Sequence, residues 1–113
     1  MNSIHQRFKD ISDTVKFYHT FSRYKKNTKQ ELFDYLSTPF YLNQYKSFYK
    51  DSKLSGFISW AYFDELNQTH YINTGRVNNW KSGKIVWLID VLSNDDVKSI
   101  AVWGKKYFTD KIG

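Results

Sequence analysis

A chain of 113 residues is long enough for one small domain with a single core and too short for two. The absence of cysteine excludes a disulfide scaffold, a thiolate metal site and a cysteine nucleophile together. Aromatic residues make up 19% of the chain, enough to build a core from large rings although only 41% of the residues are apolar, and the formal charge of +6 favours an anionic partner: nucleic acid, a membrane surface or an acidic protein.

In chain order, the N-terminus has scattered charges and no apolar leader, and nowhere does an uncharged apolar run reach membrane-spanning length, so a soluble, cytoplasmic protein without membrane insertion is expected. Ile4, Phe8, Ile11, Val15 and Tyr18 recur at spacings of four and three and predict one face of a helix of about four turns, with His19 on the same face as Val15. Thr28 with Glu31 three residues later predicts a capping box that opens a second helix through Leu32, Phe33 and Leu36, which Pro39 should end. Residues 42–49 and 54–62, rich in aromatic and β-branched side chains around the polar turn KDSK, predict an antiparallel hairpin, with Gly56 marking a bulge. Residues 64–71 read as a short helix or an irregular segment. A Lys81-Ser82-Gly83 turn leads into a strand over 84–92, and Ser93 with Asp96 predicts the cap of a last helix that buries Val97, Ile100, Ala101, Gly104, Tyr107 and Phe108. The four tryptophans, Trp60, Trp80, Trp87 and Trp103, read as packing residues.

The densest basic cluster, Arg23, Lys25, Lys26 and Lys29 beside Tyr24, falls in a connection between helices and is explained equally well as a solvated surface. No zinc finger or RNP-like aromatic signature supports nucleic-acid binding.

One residue is out of place in this pattern. Strict alternation along 84–92 puts Ile85, Trp87, Ile89 and Val91 on one face and Val86, Leu88, Asp90 and Leu92 on the other, both apolar. An ionised carboxylate there costs several kcal/mol unless it is paired or hydrogen-bonded. Asp90 either bonds backbone amides near the next helix or meets a cationic side chain; the candidates are the three histidines, Arg76 and the lysines. His5 falls off the apolar stripe and His70 lies in the mixed segment, which leaves His19 as the imidazole expected to point inward. An Asp that holds one ring nitrogen leaves the other free to accept a proton.

Several segments carry a resemblance in a fixed order: His19, then LFDYLSTPFYLNQY at 32–45, GFISWA at 56–61, NWKSGKIVWLID at 79–90 and KKYF at 105–108. Together they resemble the toxin-activating lysine acyltransferases, which act on hemolysin-type RTX protoxins; W-x-S-G followed by W-x-I-D is the most specific element. The resemblance implies a single domain over 1–113 of α+β class, a GNAT-like twisted mixed or antiparallel sheet flanked by helices. It further implies an acyl-carrier-protein-dependent transfer of a fatty acyl group from a thioester to an internal lysine of a protein toxin. No bound cofactor or metal is implied. The family's essential histidine and aspartate map to His19, with an insertion before the Leu32 motif, and to Asp90. A lysine ammonium must lose a proton before it attacks; His19 would take it, with Asp90 fixing its tautomer. Asn43 and Ser59 are candidate donors to the thioester oxyanion, and the lysine excess suits an acidic carrier.

Two departures accompany the match. The strand runs into VLSNDD rather than an A-P-F-G-like turn, so Asp95 and Asp96 stand at a helix N-terminus that would otherwise attract phosphate. The sequence also stops at Gly113, about where the family continues into a further strand and helices, so the chain reads as truncated after the helix following the Asp90 strand, with a homodimer as one way to complete the surface. The alternatives are a non-catalytic relative that binds a toxin or carrier protein, and a basic nucleic-acid-binding domain.

Overall fold

The computed structural model describes the backbone of residues 4–94 and 97–112 and the side chains of 6–94 and 97–109. The first helical stripe forms α1 (Ile4–His19), on which Ile11, Val15 and Tyr18 are buried as expected. Phe8, expected on the same stripe, is 61% exposed, although its ring meets that of Phe33 at 5.3 Å. After a 3-10 turn (Ser22–Tyr24), α2 (Lys29–Leu42) opens on the expected capping box, the Thr28 hydroxyl accepting from the Glu31 N–H and the Glu31 carboxylate from the Thr28 N–H.

Pro39 does not end α2. It is buried inside the last turn, and the helix runs on to Leu42. A proline removes one N–H and crowds the preceding carbonyl, but a terminal turn tolerates this when its carbonyls find other donors. Here Asn43, left-handed at φ 59°, donates its N–H to the Phe40 carbonyl, and Gln44 donates to that of Pro39 at 2.8 Å, a Schellman closure. The first strand therefore begins at Tyr45, three residues later than the sequence pattern suggests.

β1 (Tyr45–Lys50) and β2 (Lys53–Phe63) form the hairpin, joined by Asp51 and Ser52, both at positive φ as a two-residue I′-like turn requires. The bulge expected at Gly56 is there: Phe48 pairs with Gly56 and Tyr49 with Leu54, which leaves Ser55 over. The 64–71 segment is a full helix, α3 (Glu65–Thr74), because the Asp64 carboxylate caps the Asn67 N–H and Gly75 ends it at φ 70°. β3 (Ile85–Ser93) pairs antiparallel with β2, giving the order β1-β2-β3, and α4 (Val97–Ile112) follows. Ser93 is thus the last residue of a strand; the cap expected from Asp96, and the repulsion expected from Asp95 and Asp96, lie outside the described residues.

The chain is α+β, with a three-stranded antiparallel sheet and four α-helices among the described residues. α1 and α2 cover one face through Ile11, Val15, Tyr18, Leu32, Leu36 and Phe40 against Phe57 and Leu92. α4 covers the other, where Ile100 sits on Ile58 and Trp60 beside Trp103, Tyr107 and Phe108. Gly56 permits this approach, since a Cβ there would stand 2.6 Å from the Ile100 Cδ1. Val97 and Ala101, expected on the buried stripe of α4, are exposed and border an apolar groove instead.

Candidate active site around Asp90

The segments that carry the family resemblance converge in space. Trp80 is buried against Ala61 and Phe63, and its backbone carbonyl accepts from the Tyr62 N–H and the Gln44 side-chain amide. The same Gln44 amide also donates to the Trp60 carbonyl at 3.0 Å, so one buried glutamine ties α2 to β2 and to the loop before β3. The Ser82 hydroxyl accepts from the Asp64 N–H at 2.9 Å. Gly83 passes so near β2 that a Cβ would lie 2.5 Å from the Phe63 carbonyl oxygen. On β3 the Trp87 indole N–H donates to Gln68 of α3 at 2.8 Å. W-x-S-G and W-x-I-D thus fix β3 against β2 and α3.

Asp90 lies at a break in that strand. Ser59 pairs with Asp90, but Trp60 pairs with Leu88, so Ile89 is an extra residue in the ladder. The bulge breaks the alternation expected from the sequence. Ile85, Trp87 and Ile89 pack with Ala61 and Phe63, Leu92 packs with the α1–α2 cluster, and Leu88 and Val91 line the groove under α4. Asp90 therefore shares the helix-covered face of Ile85, Trp87 and Leu92 rather than that of Val86 and Leu88.

On this face the carboxylate is 6% exposed and three phenols meet it. Tyr18 of α1 donates to Oδ2 at 2.8 Å, Tyr35 of α2 to Oδ2 at 2.7 Å, and Tyr24 of the 3-10 turn to Oδ1 at 3.0 Å. Hydrogen bonds to an ionised acceptor are short and about twice as strong as neutral ones, so three of them answer the cost of burying the charge. Among the described residues no cation pairs with it. Burial first, and the charge of Asp90 second, push the Tyr24 phenol up to about 12 and those of Tyr18 and Tyr35 further still. At neutral pH all three are donors and none is a base. Tyr35 as a residue remains 36% exposed while its hydroxyl turns inward to the carboxylate.

His19 does not share a hydrogen bond with Asp90. Its Nε2 lies 2.7 Å from the Asn27 backbone carbonyl. A carbonyl only accepts, so Nε2 carries the proton and, in the neutral ring, Nδ1 keeps the lone pair. The tautomer expected from an aspartate is thus supplied by the connection between α1 and α2. Ser59, directly opposite Asp90, is buried, and its hydroxyl has no hydrogen-bond partner among the described residues. Asn43 lines a separate cavity with Asp10, Tyr45 and Lys46. Arg76 and His70 are exposed on and after α3. The partners of Asp90 are thus tyrosines and not the cations its charge suggests; the signal in the sequence is Tyr18 on the predicted inward stripe, where a buried phenol needs an acceptor as much as a buried carboxylate needs a donor.

Compared with known families, residues 6–101 match the model of the RTX toxin acyltransferase family. The chain belongs to that family. The match takes in His19, the three tyrosines, Ser59 and Asp90, so in this RTX toxin acyltransferase family member the whole carboxylate site falls inside the shared region. Family membership makes it a toxin-activating acyltransferase by class, with a toxin as the partner. A search of curated proteins gives no match. Among the described residues no helix is long and apolar enough to cross a membrane.

Proposed function

We propose that this chain moves a fatty acyl group from the thioester of acyl carrier protein to the ε-amine of an internal lysine on a protein toxin, in the cytoplasm. The observation that carries the reading is the buried Asp90, held by three phenols on the W-x-I-D strand of a chain that belongs to this family. In the reaction His19 Nδ1 takes a proton from the lysine ammonium. His19 passes that proton to solvent; as the amine nitrogen bonds to the thioester carbonyl carbon, Nδ1 takes its second proton, the C–S bond breaks to leave a neutral amide, and that proton goes on to the leaving thiolate. Asp90 gives the site a fixed negative charge that favours the ammonium on arrival and the imidazolium that follows. Ser59 is the better oxyanion donor of the two candidates, because its hydroxyl is uncommitted and adjoins Asp90, whereas Asn43 faces another cavity. Proton and acyl transfer of this kind need no bound metal or cofactor. Pairing of a second copy with the outer edge of β3, which carries no strand among the described residues, is the route we assign to a homodimer.

One observation favours a second reading, in which the chain is a non-catalytic relative that binds toxin or carrier. His19 and Asp90 each have other partners and share no bond. Intact-mass spectrometry of a co-expressed RTX-type toxin separates the two. The enzyme reading expects a fatty-acyl mass increment with the wild-type chain and none with His19→Ala or with Asp90→Asn, both checked by circular dichroism to be folded. No increment with the wild type leaves the binding module, whereas one that survives both substitutions overturns the roles given to His19 and Asp90.

A further inference from the structure

The net charge of this protein resides almost wholly in one corner. Residues 16–30 hold five of the 17 cations, Lys16, Arg23, Lys25, Lys26 and Lys29, and none of the 11 acids; the other 98 residues are nearly balanced at 12 against 11. Folding gathers the five at the last turn of α1, the 3-10 turn and the first turn of α2, all exposed and, among the described residues, without ion pairs. The nearest acids along the chain are committed to their own helices: Asp10 accepts from Gln6, Asp13 from Lys9, Glu31 from the Thr28 N–H and Asp34 from Gln30. Lys16 and Lys29 both line a cavity of about 330 Å³ between α1 and α2 that Val15 and Phe33 floor. Tyr24, in the middle of the basic turn, is the phenol that reaches Asp90 at 3.0 Å, so whatever docks at this corner sits beside the carboxylate site.

We propose that this corner is the docking surface for an acidic protein, whose carboxylates meet the five cations while an apolar side chain enters the cavity between Lys16 and Lys29. On the reading of the function above, that protein is the carrier which brings the acyl thioester. A surface built only for solubility intersperses both signs; a run of one sign raises encounter rates with the opposite sign. An apolar centre ringed by charge is the anatomy of a protein interface. Single-stranded nucleic acid would need aromatic faces laid open for stacking, and the rings within the basic corner, Phe21, Tyr24 and Phe33, are all partly buried, that of Tyr24 beneath the Arg23 guanidinium at 5.4 Å.

The test measures binding of purified acyl carrier protein, with an acylated arm, to three forms of the chain: wild type, Lys16→Glu/Lys29→Glu, and a control with equal charge change at the exposed Lys53 and Lys84. Like-charge contacts at a docked interface should weaken the corner variant about tenfold or more, the control about twofold at most, and the difference should shrink as salt is raised. Equal weakening of both variants, or no weakening, overturns the surface and leaves the donor assignment standing. Failure of the wild type to bind overturns both. Binding of an oligonucleotide duplex that the corner variant alone abolishes, with carrier binding unchanged, assigns the corner to nucleic acid and overturns the proposal.

Discussion

The chemistry of the site is legible residue by residue in its hydrogen bonds. Each phenol on Asp90 contributes as a donor to a buried charge, so Tyr18→Phe and Tyr35→Phe should each lower unfolding free energy by about 1–3 kcal/mol in urea titrations. Tyr24→Phe, at the half-buried rim with the longest bond of 3.0 Å, should cost less. The pH dependence follows from the same contacts. Tyr24 is raised from the ordinary 10.0 to about 12, by burial and then by Asp90. A raised folded value means that the protonated phenol stabilises the fold fully below pH 10.0 and that this contribution is lost as pH rises toward about 12, while the unfolded chain ionises first. Tyrosinate absorbance during alkaline unfolding measures it. In Asp90→Asn the Tyr24 transition should move down toward 10.0 without reaching it, because burial remains. A transition that stays where it was would show that Asp90 does not hold the phenol.

At the scale of elements, two turns and a bulge shape the site. Asp51 and Ser52 both take positive φ, at 53° and 65°, a conformation that costs a non-glycine residue about 1–2 kcal/mol. Ser52→Gly should therefore stabilise the hairpin, by about 0.5–1 kcal/mol once the greater freedom of glycine in the unfolded chain is set against the relief of strain; a fall in the denaturation midpoint would contradict the turn geometry. Across the sheet, Gly56→Ala should destabilise by about 1–3 kcal/mol through overpacking against α4. Because the colliding atom is the flexible end of Ile100, at 2.6 Å, the same change in an Ile100→Val background should cost less than it does alone, and a double-mutant cycle reads the difference. Helix and strand order was legible because the 3.6 and 2.0 periods are written in the apolar residues. The bulge at Ile89 was not, since Ile, Val, Trp and Leu are apolar on either register and nothing in IVWLID marks which residue is extra. Pro39 misled for a related reason: its local rule is strong, and what overrides it is a closure made by Asn43 and Gln44 beyond it.

For the whole molecule, composition foresaw one aromatic core and a basic protein, and an isolated carboxylate in an apolar run pointed to the site. It could not name the partners of Asp90, because nine tyrosines and nine phenylalanines serve a core pattern alike, and only the fold decides which hydroxyls face inward. Nor does a net charge of +6 say where the charge lies, which the fold turns into one corner at residues 16–30. That corner has an energetic consequence independent of any ligand. Five cations with no acid among them repel one another, and salt screens that repulsion, with a screening length of about 8 Å at physiological ionic strength. The free chain should therefore gain stability when salt is raised from low values, and Lys25→Gln or Lys26→Gln should raise its thermal midpoint at low salt while changing little at high salt. Solvent-exposed substitutions away from special contacts ordinarily stay within about 0.5 kcal/mol, so the informative quantity is the sign and its dependence on salt. A midpoint lowered by Lys26→Gln at low salt would mean that the lysine has a stabilising partner and that the corner is ordinary surface; a midpoint raised there, together with weaker carrier binding, marks stability given up for recognition.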